Sequence, residues 1–333
     1  MMNAKNFLLI AVLVCAGWTM WAQPVVTVTG SRNADQKSIW LSHEHILVDF
    51  IGADKITMND YNRSTVFHEM LPYLSALKKY QIGYFVDATP PFLGRDPELL
   101  RQLSVASGVS ILTNTGLYGA QQNKFIPAYA FDLTAQELSE RWIKEYRQGI
   151  DDTGIRPGFI KISVDPKDPL DPMHEKIVKA AALTHLETGL TIASHTGKAL
   201  GLWPQLQILK NAGVSPAAFI WVHAQNESDT DAYIKAAEEG CWISLDGVGW
   251  KTELYVEKLR WAKEMDLLDR VLISHDAGWY DPQKEEQSIQ PFTNIFEVLI
   301  PRLMASGFTR RDIHQLLTVN PAMAFGIDVR KRE

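Results

Sequence analysis

The sequence predicts one large α/β domain, a (β/α)8 TIM barrel, on three observations. Short β-rich apolar runs alternate with longer segments of helical period, and the runs number eight. Several of them end in histidine, lysine or aspartate. Such alternation favours a parallel sheet covered by helices, and eight strand–helix units is the count that closes a barrel. A doubly wound open sheet usually carries a glycine-rich phosphate turn after its first strand. Here that position holds His43-Glu44-His45. A chain of 333 residues, 46% hydrophobic and 22% charged, suits one domain of this size. No fixed repeat, low-complexity tract or linker divides residues 23–333.

Residues 1–22 are expected to be a signal peptide. Residues 1–6 carry Lys5 and no acid, residues 7–17 are almost wholly apolar, and Ala22 offers a small residue for cleavage. The apolar stretch is far short of the ~20 residues of a permanent anchor. The expected product is therefore periplasmic or secreted, with no stable membrane insertion once the peptide is removed. Cys241 is then the only cysteine, so no intrachain disulfide can form. The net charge of −6, or −7 without Lys5, argues against a nucleic-acid partner and leaves a small molecule.

The strand candidates are residues 39–47, 84–89, 110–115, 158–164, 191–195, 218–223, 242–246 and 271–276. Helical candidates are 65–80, 97–107, 134–153, 173–187, 204–212, 229–239 and 254–265, with apolar residues three and four apart, as in Leu71, Leu74 and Leu77. Gly189 and Gly240 punctuate two of the junctions.

The chemistry lies at the strand ends. Side chains alternate along a strand, so His43 and His45 share a face and Glu44 takes the other. Lys161 lies in the fourth strand candidate, and His195, His223, Asp246 and Asp276 end the fifth to the eighth. Barrel strands converge at their C-terminal face on one active site. One such residue is explained by packing, but four imidazoles, a lysine and a carboxylate at one level are not, because unpaired buried polar groups are costly. Asp246 has two candidate roles, orienting a metal-binding histidine or touching substrate. His275 alternates away from the site, and His68, His174, His185 and His314 fall in helical segments as packing or surface residues.

The order His-x-His, Lys, His, His, Asp resembles the amidohydrolase superfamily and, more narrowly, its phosphotriesterase family. The resemblance runs from Val25 to about Ile327. It rests on Leu41-Ser42-His43-Glu44-His45, on Asp152-Thr153-Gly154-Ile155-Arg156-Pro157-Gly158-Phe159-Ile160-Lys161, on Ser274-His275-Asp276 and on Val319-Asn320-Pro321-Ala322. It implies two divalent metal ions. His43, His45 and Asp276 would hold the more buried ion, and His195 and His223 the more exposed one. Lys161, carboxylated by carbon dioxide, would bridge them. A bridging hydroxide would attack the substrate and Asp276 would accept the proton. An ammonium cannot ligate a cation, whereas a carbamate is an anionic oxygen ligand. Imidazole and carboxylate suit zinc, with manganese, iron and cobalt tolerated at comparable sites. Relatives are often dimers, so a homodimer is also implied. Asn226 departs from the pattern, standing where relatives often carry an acid, which puts a proton shuttle there in doubt.

Substrate preference is less legible. Residues 117–131 carry Tyr118, Tyr129 and Phe131, and residues 277–291 carry Trp279 and Tyr280. Aromatic loops suit an apolar or sugar-like ligand. Tyr118 resembles a tyrosine that lactonase branches of the family place near the lactone ring, although Leu245-Asp246-Gly247-Val248 lacks the arginine several lactonases carry after that aspartate. Tyr118, Asp246 and Trp279 are thus the candidate substrate contacts. A lactone is the leading expectation, with a phosphotriester or phosphoester, an amide, and a non-catalytic metal-stabilised binding protein as alternatives.

Overall fold

The computed structural model describes residues 23–34, 37–57 and 61–332. The expected signal peptide lies outside them. Among the described residues no helix is long and apolar enough to cross a membrane. The described chain opens with an antiparallel hairpin that the sequence reading did not anticipate, β1 (Pro24–Thr27) and β2 (Gly30–Asn33), with Gly30 in a conformation at φ 122° open to glycine.

Ten further strands follow: β3 (Ile39–Leu47), β4 (Ile82–Asp87), β5 (Ser110–Leu112), β6 (Asn114–Thr115), β7 (Phe159–Ser163), β8 (Ile192–His195), β9 (Phe219–Val222), β10 (Trp242–Leu245), β11 (Val271–Ile273) and β12 (Gly278–Tyr280). They pair in parallel as two sheets, β12-β3-β4-β5 and β6-β7-β8-β9-β10-β11. Strands β5 and β6 are one stave interrupted at Thr113, and β11 and β12 another interrupted at residues 274–277. The two sheets therefore share both broken staves, giving the eight staves of a (β/α)8 barrel. Asp276 lies in the second break instead of ending a strand. Alternating apolar periodicity stops at Ile273, and the short return strand β12 has too few residues to stand out in the sequence.

The helices lie on the outside: α1 (Arg63–Ala76), α2 (Pro97–Ser107), α3 (Tyr129–Asp132), α4 (Ala135–Gln148), α5 (Pro172–Thr188), α6 (Ala199–Asn211), α7 (Thr230–Glu238), α8 (Thr252–Glu264), α9 (Ile300–Ala305), α10 (Arg310–His314) and α11 (Asn320–Phe325). Local chemistry sets their ends. Asp96 accepts from the Leu99 N–H with Pro97 at the first turn of α2, and Gly108 closes that helix at φ 78°. Thr134 and Glu137 form a reciprocal capping box on α4. Helix α6 begins five residues before the expected start, placing Pro204 inside it. Its entry is held from outside, by Glu227 accepting the Ala199 N–H at 2.8 Å.

The barrel interior is packed by Trp40, Tyr84, Leu112, Phe159, Trp242 and Leu272, and Phe325 of α11 closes its lower end against Trp40 and Phe159. Leu41, next in sequence to Trp40, belongs to the layer between staves and helices. Strict alternation from Trp40 would then turn His43 outward. The pairing of β3 with β4 shifts register between Leu41 and Glu44, and this bulge lets Trp40 and His43 both face inward.

Candidate metal centre

The predicted residues meet at the C-terminal ends of the staves. From β3, the His45 Nε2 lies 3.0 Å from the Asp276 Oδ1, and the His43 Nε2 lies 3.6 Å from the same oxygen. The Lys161 Nζ on β7 is 3.5 Å from the His43 Nε2. The His195 and His223 rings stand with centroids 4.3 Å apart, and His223 is 5.2 Å from His43. Candidate ligand atoms of His43, His45 and Asp276 all lie within 4.8 Å of one another. Lys161 is 2% exposed, whereas the Asp276 side chain is 19% exposed and forms the open side of the group.

Two of these residues have backbones that side chains rarely adopt. His223 (φ 60°) and Asp276 (φ 51°) are left-handed, each just beyond a strand. That conformation costs energy in a non-glycine residue and persists only where surrounding contacts enforce it. Each conformation turns a side chain that would otherwise continue the strand's alternation.

Neighbouring groups fix the rings. The His45 Nδ1 pairs with the Thr89 hydroxyl at 2.8 Å, which leaves Nε2 facing Asp276. Asp246 hydrogen-bonds the His223 Nδ1 and also accepts from the His223 N–H at 3.1 Å, the Ser244 hydroxyl at 2.9 Å and the Gln225 amide at 3.0 Å. Asp246 is fully buried with both oxygens engaged, and its Oδ2 also lies 3.5 Å from the His43 Nδ1. Asp87, which the sequence reading passed over, accepts from the N–H groups of Ile46 and Thr89, and burial raises its carboxyl to about 6. The polar residues ending the second strand candidate were the available signal for this support.

The electrostatics suit cation binding. Burial holds the imidazoles of His43 and His195 well below the usual histidine range, so both offer lone pairs. Burial likewise pushes the Lys161 ammonium down to about 8. Desolvation alone would raise the carboxyl of Asp276, but the His45 hydrogen bond and the imidazoles of His223 and His43 lower it. His223 is raised, because Asp246 and Asp276 outweigh its burial. Imidazole and carboxylate donors converging with one face left open are the ligand chemistry of a catalytic divalent site.

Above the group stands an apolar wall of Val48, Leu93, Tyr118, Ala120 and Phe125, with Trp279 packed against it. The Tyr118 hydroxyl lies 3.1 Å from the His195 Nδ1, and the Trp279 ring meets the His45 ring edge-on at 5.7 Å. The loop carrying Tyr118 is tightly braced. Ser163 accepts from the Ala120 N–H, Asp165 from those of Gln121 and Gln122, and His174 contacts the Gly119 carbonyl. Gln121, Gln122 and Asn123 are consecutive left-handed residues, a strain these bonds hold in place. Phe50 extends the wall, its ring against Phe125 and Trp279; neither Phe50 nor Phe125 was anticipated from sequence.

Comparison with known proteins places the chain in a family. The profile of the Phosphotriesterase family matches residues 23–325. The chain belongs to that family. The phosphotriesterase homology protein of Escherichia coli (strain K12) is 27% identical over 297 residues, which span 87% of this chain and 99% of that protein. The aryldialkylphosphatase of Saccharolobus solfataricus is 27% identical over 317 residues, 90% of this chain and 99% of the relative. A more distant relative, the N-acetyltaurine hydrolase of Dictyostelium discoideum, is 25% identical over 264 residues, 74% and 70% of the two chains. A mutant organophosphorus hydrolase from Deinococcus radiodurans superposes with a TM-score of 0.82 at 28% identity, covering 91% of this chain and 97% of the other. Enzymes of this family use a divalent metal site, and this chain is a metal-dependent hydrolase.

Proposed function

We propose that this hydrolase binds two divalent ions, zinc by preference, and opens the ester bond of a lactone. His43, His45 and Asp276 hold the more buried ion, His195 and His223 the other, and Lys161 bridges them as a carbamate. A lysine with its pKa near 8 has a substantial fraction of free amine at mildly alkaline pH, the form that adds carbon dioxide. When bound, the metal pair acidifies a water and polarises the substrate's reacting oxygen. The remaining work belongs to the chain. Asp276, at the open side, takes the proton; Asp246 holds the His223 ring in the tautomer that offers Nε2; Tyr118 and the apolar wall orient the substrate and exclude water.

The observation that carries the lactone reading is the Tyr118 hydroxyl, 3.1 Å from the His195 Nδ1 and set in an aromatic wall. A hydroxyl so placed can donate to an ester oxygen. The wall itself favours an uncharged substrate over an anionic one. An aryl dialkyl phosphate is uncharged as well, so phosphotriester hydrolysis is the second reading, favoured by the relative named aryldialkylphosphatase. Amide hydrolysis, the activity named for the N-acetyltaurine hydrolase, would bring an anionic sulfonate against that apolar wall.

The test is kcat/KM of the zinc-loaded protein on a γ-lactone, an aryl dialkyl phosphate and N-acetyltaurine. The lactone should be turned over with the highest kcat/KM. Faster turnover of the phosphate replaces the first reading with the second, and faster turnover of N-acetyltaurine rejects both. We also propose that residues 1–22 direct export and are removed. N-terminal sequencing of the protein recovered outside the cytoplasm should begin at Gln23; retention of Met1 would contradict this.

A further inference from the structure

We propose that Glu44, which points away from the metal centre, is the residue that positions Asp276. The inference rests on the reading of Asp276 as metal ligand and proton acceptor. Glu44 is fully buried between the two imidazole-bearing residues of β3. Its Oε1 accepts from the Ser274 hydroxyl at 2.7 Å, the His275 N–H at 3.1 Å and the His275 Nδ1 at 2.7 Å. Its Oε2 accepts from the Ala277 N–H at 3.1 Å. Those donors bracket Asp276 on both sides.

The bracket is needed because the strand ladder fails there. Stave eight leaves its regular pairing after Ile273 and rejoins β3 only at Gly278, opposite His45. Buried backbone N–H groups must find acceptors. The Asp276 N–H reaches the His43 carbonyl at 3.0 Å, and the His45 N–H reaches the Ala277 carbonyl at 2.9 Å. The N–H groups of His275 and Ala277 go to the Glu44 carboxylate instead. Ser274 adds a second link, taking the His43 N–H at 2.9 Å while donating to Glu44. His275 anchors the assembly outward, its Nε2 accepting from the Ile295 N–H at 3.0 Å, so its proton sits on the Nδ1 facing Glu44. One carboxylate thus ties residues 274, 275 and 277 together around Asp276, which stands left-handed between them.

The chemistry calls for a carboxylate in particular. Four donors converge on two oxygens, close to the full acceptor capacity of the group. An amide of the same shape presents its NH2 to a donor at one end, and an aspartate falls short by one methylene. Glu44→Gln should therefore fold yet let Asp276 wander.

The experiment titrates metal-free wild type, Glu44→Gln and Asp276→Asn with Zn2+ by calorimetry, and measures kcat and KM on the substrate the wild type turns over best. For Glu44→Gln the expected result is Zn2+ affinity and kcat each lower by about 10–100-fold, as for groups that orient ligands, with KM changed less than about threefold. Arg330→Ala, at the opposite end of the barrel, serves as the control. It removes bonds to Thr191, Met323 and Gly326, and should lower Tm while leaving Zn2+ affinity unchanged. A Glu44→Gln protein with lowered Tm but wild-type Zn2+ affinity and kcat overturns the proposal. If Asp276→Asn also binds and turns over normally, the reading of Asp276 fails and takes this inference with it; if Asp276→Asn is impaired and Glu44→Gln is not, the Glu44 inference alone fails. Should Glu44→Gln not fold, His275→Phe removes the ring bond to Glu44 while leaving the His43 N–H on the Ser274 hydroxyl; a severalfold loss of Zn2+ affinity and kcat supports the proposal, and wild-type values overturn it.

Discussion

The lower and upper halves of the barrel are built on opposite principles. Below, Trp40, Tyr84, Phe159 and Phe325 stack into an apolar plug, with Trp40 and Tyr84 rings 3.9 Å apart and nearly parallel. One register shift falls there, between Ile39 and Trp40, and it leaves the apolar packing continuous. Above, the pairing breaks at Leu41–Glu44 and at residues 274–277, and His223, Asp276 and Trp279 all take left-handed backbones. Buried polar groups crowd the same level, and three of the proposed ligands are held by neighbours: His45 by Thr89, His223 by Asp246, Asp276 by the bonds around Glu44. The apolar half supplies stability, and that stability sustains the strain and desolvation the upper half needs to aim its ligands.

If the halves divide the work this way, substitutions should separate stability from activity. The largest effect belongs to Asp276→Asn, which should reduce turnover to background; because the fold holds this carboxyl below its usual range, the Tm of the metal-free protein should fall as well, by less than for Trp40→Ala, and a steady-state assay beside a thermal melt checks both. Trp40→Ala should do the converse. It empties a fully buried site in the plug and should cost about 3–5 kcal/mol in a denaturant titration, with kcat per folded molecule preserved. A kcat loss matching that of Asp276→Asn would show that the halves are not separable.

Lys161 sharpens the comparison, because it belongs to the strained half and should weaken the metal-free protein. Its folded pKa of about 8 lies below the ordinary lysine value of 10.5, so between those pH values the unfolded chain binds more protons. Stability of the metal-free protein should accordingly rise with pH across that window, by on the order of 3 kcal/mol from this group. Lys161→Met should be more stable at pH 7 by a similar amount and lack that contribution. Comparing the two by urea titration from pH 7 to 10 checks this, since other titrating groups cancel in the difference; parallel curves would contradict it.

The smallest of the predicted effects concerns support. Asp246→Asn keeps the shape but gives the His223 Nδ1 a weaker partner, and should lower Zn2+ affinity or kcat by about 10–100-fold. Wild-type affinity would mean that the His223 ring is held by packing alone.

The same division explains what the sequence made legible. Stave positions were readable because apolar runs of five to nine residues between helical segments have few alternative structures, and the ligand types at their ends stand out by chemistry. His43 and His45 were assigned one face by simple alternation, and the answer stands although a register shift falls between Leu41 and Glu44. The bulge itself was hidden: nothing local in Leu41-Ser42-His43 distinguishes a shifted strand from a regular one, and only the demand that Trp40 and His43 both face inward reveals it. The left-handed turn at Asp276 was equally hidden, since its cause is the Glu44 carboxylate some 230 residues earlier in the chain. Short β12 and the hairpin of β1 and β2 were missed for want of length. The aromatic wall was read in part, through Tyr118 and Trp279; Phe125 lies in the same loop as Tyr118 and was passed over, and Val48, Phe50 and Leu93 come from other loops that the fold alone brings together.

The central claim is that Lys161 is a ligand shared by two ions. Metal analysis of wild type and Lys161→Ala, both loaded with Zn2+ in bicarbonate buffer and freed of excess by gel filtration, tests it most directly. The account predicts two equivalents of zinc per chain in the wild type and a loss from the variant that short carboxylic acids in the buffer restore in part. Equal zinc in both proteins would contradict it.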